Sequence, residues 1–93
     1  MLAKVRQIGY IVTGLINDLH QQGLATQMFN ETIKLAQRKG LRRLELTVIT
    51  SNKPAVNFYE KLGFKIEGIK HESVFMEEHY FDELYMAMML NQD

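Results

Sequence analysis

A chain of 93 residues, 46% hydrophobic and 24% charged, is expected to form one small globular domain over 1–93. At this size only about 60% of the unfolded surface becomes buried, so the core is modest. Lys plus Arg balances Asp plus Glu at 11 each, which argues against a nucleic-acid binder and its basic face. The absence of cysteine excludes a disulfide scaffold, a thiolate metal site and a Cys nucleophile, and it fits a cytoplasmic location.

Residues 8–16, IGYIVTGLI, are rich in β-branched and aromatic side chains, with apolar groups on both faces. That composition predicts a central strand. The run is too short to span a bilayer and has no signal-cleavage pattern, so no membrane partner is expected. From Gly23 to Lys39 the period becomes helical. Leu24, Met28, Thr32 and Leu35 form one ridge, and Ala25, Phe29, Ile33 and Ala36 form the next. Gly40 is a natural stop.

The segment LRRLELTVIT, 41–50, alternates as a strand, with Leu44, Leu46 and Val48 on one face. Pro54 opens a second helix running to Leu62, with Ala55, Tyr59 and Leu62 on one side and Gly63 ending it. FKIEGIKHESVFM and YFDELYMAMML then read as two strands joined near Glu77 and Glu78. The order is β-α-β-α-β-β. A parallel pair is expected where the longer helix joins 8–16 to 41–50.

Two places could carry chemistry. The turn HQQGLAT, 20–26, runs from a strand end into a helix N-terminus, where free N–H groups and the helix dipole suit an anion. Gly23 would let a ligand approach the backbone. No GxGxxG or GK[ST] pattern is present, and a plain turn needing one glycine accounts for these residues on their own. The second place is TSNKPAVNFYEKLGF. Asn52 stands before the helix and Tyr59 seven residues on, nearly two turns, so both can face one groove. An amide can hold an extended ligand and a phenol can donate a proton to a departing thiolate. Either residue alone reads as structural.

These segments, in this order, resemble the GNAT N-acyltransferase superfamily. HQQGLA stands where the family has its acyl-CoA pyrophosphate loop, Q/R-x-x-G-x-G/A, with His20 in place of the usual first residue. LELTVITSNKPAVNFYEKLGF follows the family's strand, Asn and helical Tyr, and YFDELYMAMML its closing strand. The resemblance runs from about Ile8 to Leu90. It implies a partial GNAT fold, a mixed α/β sheet in which the family's N-terminal half is missing. Acetyl-CoA would be the co-substrate and a small-molecule or peptide amine the acceptor, acetylated by direct attack. Backbone N–H groups of Gln22, Gly23, Leu24, Ala25 and Thr26 would bind the pyrophosphate. Leu15 and Ile16 would pair with the pantetheine arm, and Asn52 would also contact it. Tyr59 would be the general acid, and a backbone N–H near Leu15 would polarise the carbonyl.

Only MLAKVRQ precedes the strand at Ile8, so its apolar edge is expected to be covered in a homodimer or a domain-swapped assembly. No acid or histidine lies on 8–16. The nearest general-base candidates are Asp18 and Glu45, each readily explained by a surface role. The charge run QRKGLRR reads as a solvated helix end. His71, His79 and the glutamates near them have no metal-ligand spacing, so no metal is expected. Met86, Met88 and Met89 are expected to fill core gaps. Two rivals stand beside the enzyme: a non-catalytic CoA-binding or assembly module, and an unrelated nucleotide-binding fragment indifferent to Tyr59.

Overall fold

The computed structural model describes residues 2–4 and 22–90. The elements are β1 (Leu2–Lys4), α1 (Gln22–Arg38), β2 (Arg43–Ile49), α2 (Lys53–Leu62), β3 (Lys65–Met76) and β4 (His79–Met89). They form an α/β structure whose sheet has the order β1-β2-β4-β3. β1 runs parallel to β2, with Leu2 opposite Arg43. β2 pairs antiparallel with β4, and β4 with β3. The strand expected over 8–16, with its proposed edge, lies outside the described residues. Among the described residues the parallel neighbour of β2 is the short segment Leu2–Lys4, which was not among the strands expected.

Strand alternation decides where the core lies. Leu44, Leu46 and Val48 are buried on one face of β2, opposite Met88, Met86 and Leu84 of β4. Ala25, Phe29 and Ala36 of α1, and Ala55, Val56 and Tyr59 of α2, join that same cluster, so both helices cover one face of the sheet. The two ridges of α1 thereby acquire different roles: the Ala25–Phe29–Ala36 ridge is buried, whereas Leu24 and Leu35 are about half exposed. β4, like β2, is an inner strand, and apolar side chains occupy both of its faces. Met86 is buried, but Met89, expected in the core, is 67% exposed because Arg43, its partner on β2, faces away from the helices.

The helix ends follow local chemistry. α1 stops where Gly40 adopts φ +76, with the Leu41 N–H on the Ala36 carbonyl and the Gly40 N–H on that of Gln37. α2 stops at Gly63, left-handed at φ +114, which turns Phe64 back into the core. The turn at Glu77 and Glu78 contains no glycine, yet both residues take positive φ (51° and 63°), as a tight two-residue hairpin requires. The long paired strands impose the geometry on residues that disfavour it.

Candidate active site

The first turn of α1 and one side of α2 face each other. Gly23 and Thr26, one turn apart, oppose Pro54, Asn57, Phe58, Lys61 and Leu62, whose 3–4 residue spacing marks a single helical stripe. Between them lies a cleft of about 400 Å³. The N–H groups of the first helical turn have no carbonyl partner within the helix, and no acidic side chain occupies that turn of α1. Lys61, in the last turn of α2, adds a full positive charge at the rim. Both features favour negative charge in the cleft.

Gly23 sharpens this. Its φ is not positive, and a Cβ added there would meet nothing within 4 Å among the described residues. Neither backbone conformation nor packing calls for a glycine, although glycine costs a helix about 0.5–1 kcal/mol relative to alanine. Space left over this backbone by the described residues is what a bound pyrophosphate would use. Of the other expected cradle residues, Thr26 lines the cleft, Leu24 faces outward and Ala25 is fully buried. The backbone N–H groups of Leu24 and Ala25 lie in the first turn with that of Gln22, where the helix begins, and Thr26 opens the next turn. Leu15 and Ile16 lie outside the described residues.

Asn52 and Tyr59 are not among the residues lining this cleft. Asn52 caps α2, its Oδ1 accepting the Ala55 N–H at 3.3 Å. Its Nδ2 donors make no hydrogen bond among the described residues. Tyr59 is only 2% exposed and sits in an aromatic nest, with ring centroids 5.5 Å from Phe29, 5.6 Å from Phe58 and 5.9 Å from Phe64. The one-groove arrangement read from their spacing is thus not an open groove shared by both side chains; Tyr59 faces the sheet side of α2 and Asn52 turns back on its own helix.

Glu45 does not stand free as a base. It accepts from Arg43 Nε at 2.8 Å, and Arg43 also grips Glu67 through both terminal nitrogens. The hydrogen bonds from Arg43 hold the Glu67 carboxyl below the usual carboxylate range, while Glu67 first and Glu45 second raise Arg43 further into its charged form. Asp18 lies outside the described residues. Among the described residues no group of His, Asp and Glu is placed to hold a metal ion. No described helix is long and apolar enough to cross a membrane.

Reasoning from sequence missed Asn57, Phe58 and Lys61. The stripe from Pro54 at 3–4 residue spacing was visible, but only the tertiary fold shows that it opposes Gly23.

Two helices thus cover one face of a mixed sheet, with an open helix N-terminus on α1 and an Asn-capped α2 carrying a buried Tyr. The model of the acetyltransferase (GNAT) family matches residues 7–64, and the chain belongs to that family. It is 36% identical over 67 residues to the L-amino acid N-acetyltransferase AaaT of Escherichia coli strain K12, covering 71% of this chain and 41% of that protein. A GNAT-family acetyltransferase structure from Streptococcus pneumoniae superimposes with TM-score 0.69 at 40% identity, over 74% of this chain and 41% of that one. The ribosomal-protein-S18-alanine N-acetyltransferase of Escherichia coli does so with TM-score 0.72 at 27% identity, over 78% and 47%. The chain thus spans less than half the length of each of these relatives. Its structure is a partial GNAT fold.

Proposed function

We propose that this chain forms the acetyl-CoA site of an N-acetyltransferase, as one domain over 1–93, and transfers the acetyl group to a primary amine in the cytoplasm. One observation carries the reading: the unshielded backbone at Gly23 opens onto a cleft whose charge is set by a helix N-terminus and Lys61. N–H groups from Gln22 to Thr26 would hold the pyrophosphate, and Lys61 would add attraction for the phosphates. The amide donors of Asn52, with Leu15 and Ile16, would contact the pantetheine arm. Tyr59 would protonate the thiolate as the amine attacks the acetyl carbonyl; the C–N bond forms, the C–S bond breaks, the phenol proton passes to sulfur, and the proton shed by the amine nitrogen passes to water, from which the phenolate is reprotonated. Its aromatic nest would hold the phenol in a single orientation. Supports for dimer formation through 8–16 are the apolar composition of that segment and the small size of the core.

The test is calorimetric titration of acetyl-CoA into the folded chain, followed by a screen of amine acceptors. Saturable binding near one per chain, lost on Gly23→Glu, is expected. Turnover should fall sharply in Tyr59→Phe while acetyl-CoA binding persists. No binding to a folded chain would overturn the reading. The rival reading is a non-catalytic CoA-binding or assembly module. Binding without turnover on any amine would select it.

A further inference from the structure

Asp82 of β4 stands where the sheet hands over to α2. Its carbonyl accepts the Thr50 N–H at 3.0 Å, one residue past the end of β2, and so extends the β2–β4 ladder beyond the pair Ile49 and Glu83. From Thr50 the chain turns at once into the helix. The Asn52 N–H meets the Ile49 carbonyl at 2.9 Å, the Lys53 N–H meets that of Ser51 at 3.0 Å, and Asn52 Oδ1 caps the Ala55 N–H at 3.3 Å. Those bonds fix the turn internally. The bond to Asp82 fixes where the turn sits against the sheet.

On its β3 side Asp82 has no one-to-one partner. Lys70 lies opposite Glu83 and Val74 opposite Phe81, so His71, Glu72 and Ser73 of β3 face Asp82 alone. Such a bulge interrupts the ladder and leaves backbone groups to be satisfied in another way. The Asp82 side chain does this. Its Oδ1 accepts the Glu72 N–H at 2.8 Å, and its Oδ2 lies 3.5 Å from Nδ1 of His71. Glu72 is held at φ 50°, a left-handed conformation that a residue with a Cβ disfavours. The exposed His71 ring adds little, so the charge-assisted bond to Glu72 carries the clasp. Ser73 Oγ, 2.9 Å from the Glu83 carboxylate, closes the bulge one residue further along. Asp82 is thus gripped through its backbone by β2 and through its side chain by β3. Releasing the second grip frees this point of β4 to shift, and Thr50 shifts with it.

We propose that Asp82 is a positioning residue of the acetyl-CoA site: by clasping the bulge at Glu72 it sets Thr50, and through Thr50 the place of the Asn52 amide. The role rests on the reading above, in which that amide contacts the pantetheine arm. The test is calorimetric titration of the full chain with acetyl-CoA and with adenosine 3′-phosphate 5′-diphosphate, which keeps the pyrophosphate and lacks the arm. Asp82→Ala should weaken acetyl-CoA about fivefold, the worth of one hydrogen bond, and leave the shorter ligand unchanged. Asp82→Asn, whose amide oxygen still accepts from Glu72, should restore the affinity. In an Asn52→Asp background, where the amide donors are gone, Asp82→Ala should have no further effect. Hydrogen exchange at the Thr50 amide should quicken in Asp82→Ala and return in Asp82→Asn. Equal loss of both ligands would show a general loss of structure and overturn the role. Unchanged acetyl-CoA affinity, additive losses with Asn52→Asp, or unchanged exchange at Thr50 would also overturn it. A wild-type chain that binds neither ligand would instead bring down the acetyl-CoA reading, and this role with it.

Discussion

Phe29 of α1 meets Tyr59 of α2 edge to face, with centroids 5.5 Å apart and planes at 70°. Both rings are essentially buried, and Phe64 closes the cluster from the far side of Gly63. This contact joins the helix that bears the anion cradle to the helix that bears the proposed acid. Tyr59→Ala should cost about 3–5 kcal/mol, the loss typical of a buried aromatic. Tyr59→Phe should leave the urea midpoint much closer to wild type. A double-mutant cycle between Phe29 and Tyr59 should return a coupling of about 0.5–1.5 kcal/mol; additive losses would show that the rings do not cooperate.

At the cleft, Gly23→Ala should leave folding intact or slightly improved, because its Cβ meets open space and alanine favours helix. The same change should weaken acetyl-CoA, and Lys61→Ala should weaken it by several-fold in a salt-dependent way. Calorimetry at low and high salt checks both. Tighter or unchanged binding in Gly23→Ala would mean that the ligand does not approach this backbone.

Asn52 is a helix cap in addition to any contact with a ligand. Asn52→Ala should destabilise by about 1 kcal/mol, and Asn52→Asp should restore most of that loss. If Asn52 also donates to the pantetheine arm, Asp should rescue stability but not affinity. Thermal melts and titrations on the two variants separate the roles.

The turn at Glu77 and Glu78 holds two non-glycine residues at positive φ. Replacing them by Asn and Gly should stabilise the chain, by roughly 1 kcal/mol for each position relieved. A melting temperature that does not rise would count against the left-handed geometry.

Arg43 and Glu67 set a small acid sensitivity. The folded-state Glu67 carboxyl lies below its ordinary value of 4.5 because it accepts hydrogen bonds from Arg43. Its contribution is present above that value and is lost as pH falls through the depressed one. The pair is solvent-accessible, so the effect is modest and screened by salt. Glu67→Gln should therefore narrow the stability difference between pH 7 and pH 3 in urea titrations. Identical pH profiles for the two proteins would refute it.

The element order after residue 22, the buried face of β2 and both glycine stops were determined by the sequence alone, whereas packing chose between the two apolar ridges of α1. Periodicity, β-branching and the few residues that tolerate left-handed backbone act over a few positions, so they can be read locally. The family, too, was legible in HQQGLA and in the run from Leu44 to Phe64. What only the tertiary structure decided is how separate segments meet. Lys61 looked like one helical lysine until α2 was placed against the first turn of α1. Met89 looked like core until pairing with Arg43 turned it outward. Asn52 and Tyr59, two turns apart along a helix, were separated by capping on one side and aromatic burial on the other. Such outcomes depend on contacts between residues distant in the chain, and no local pattern encodes them.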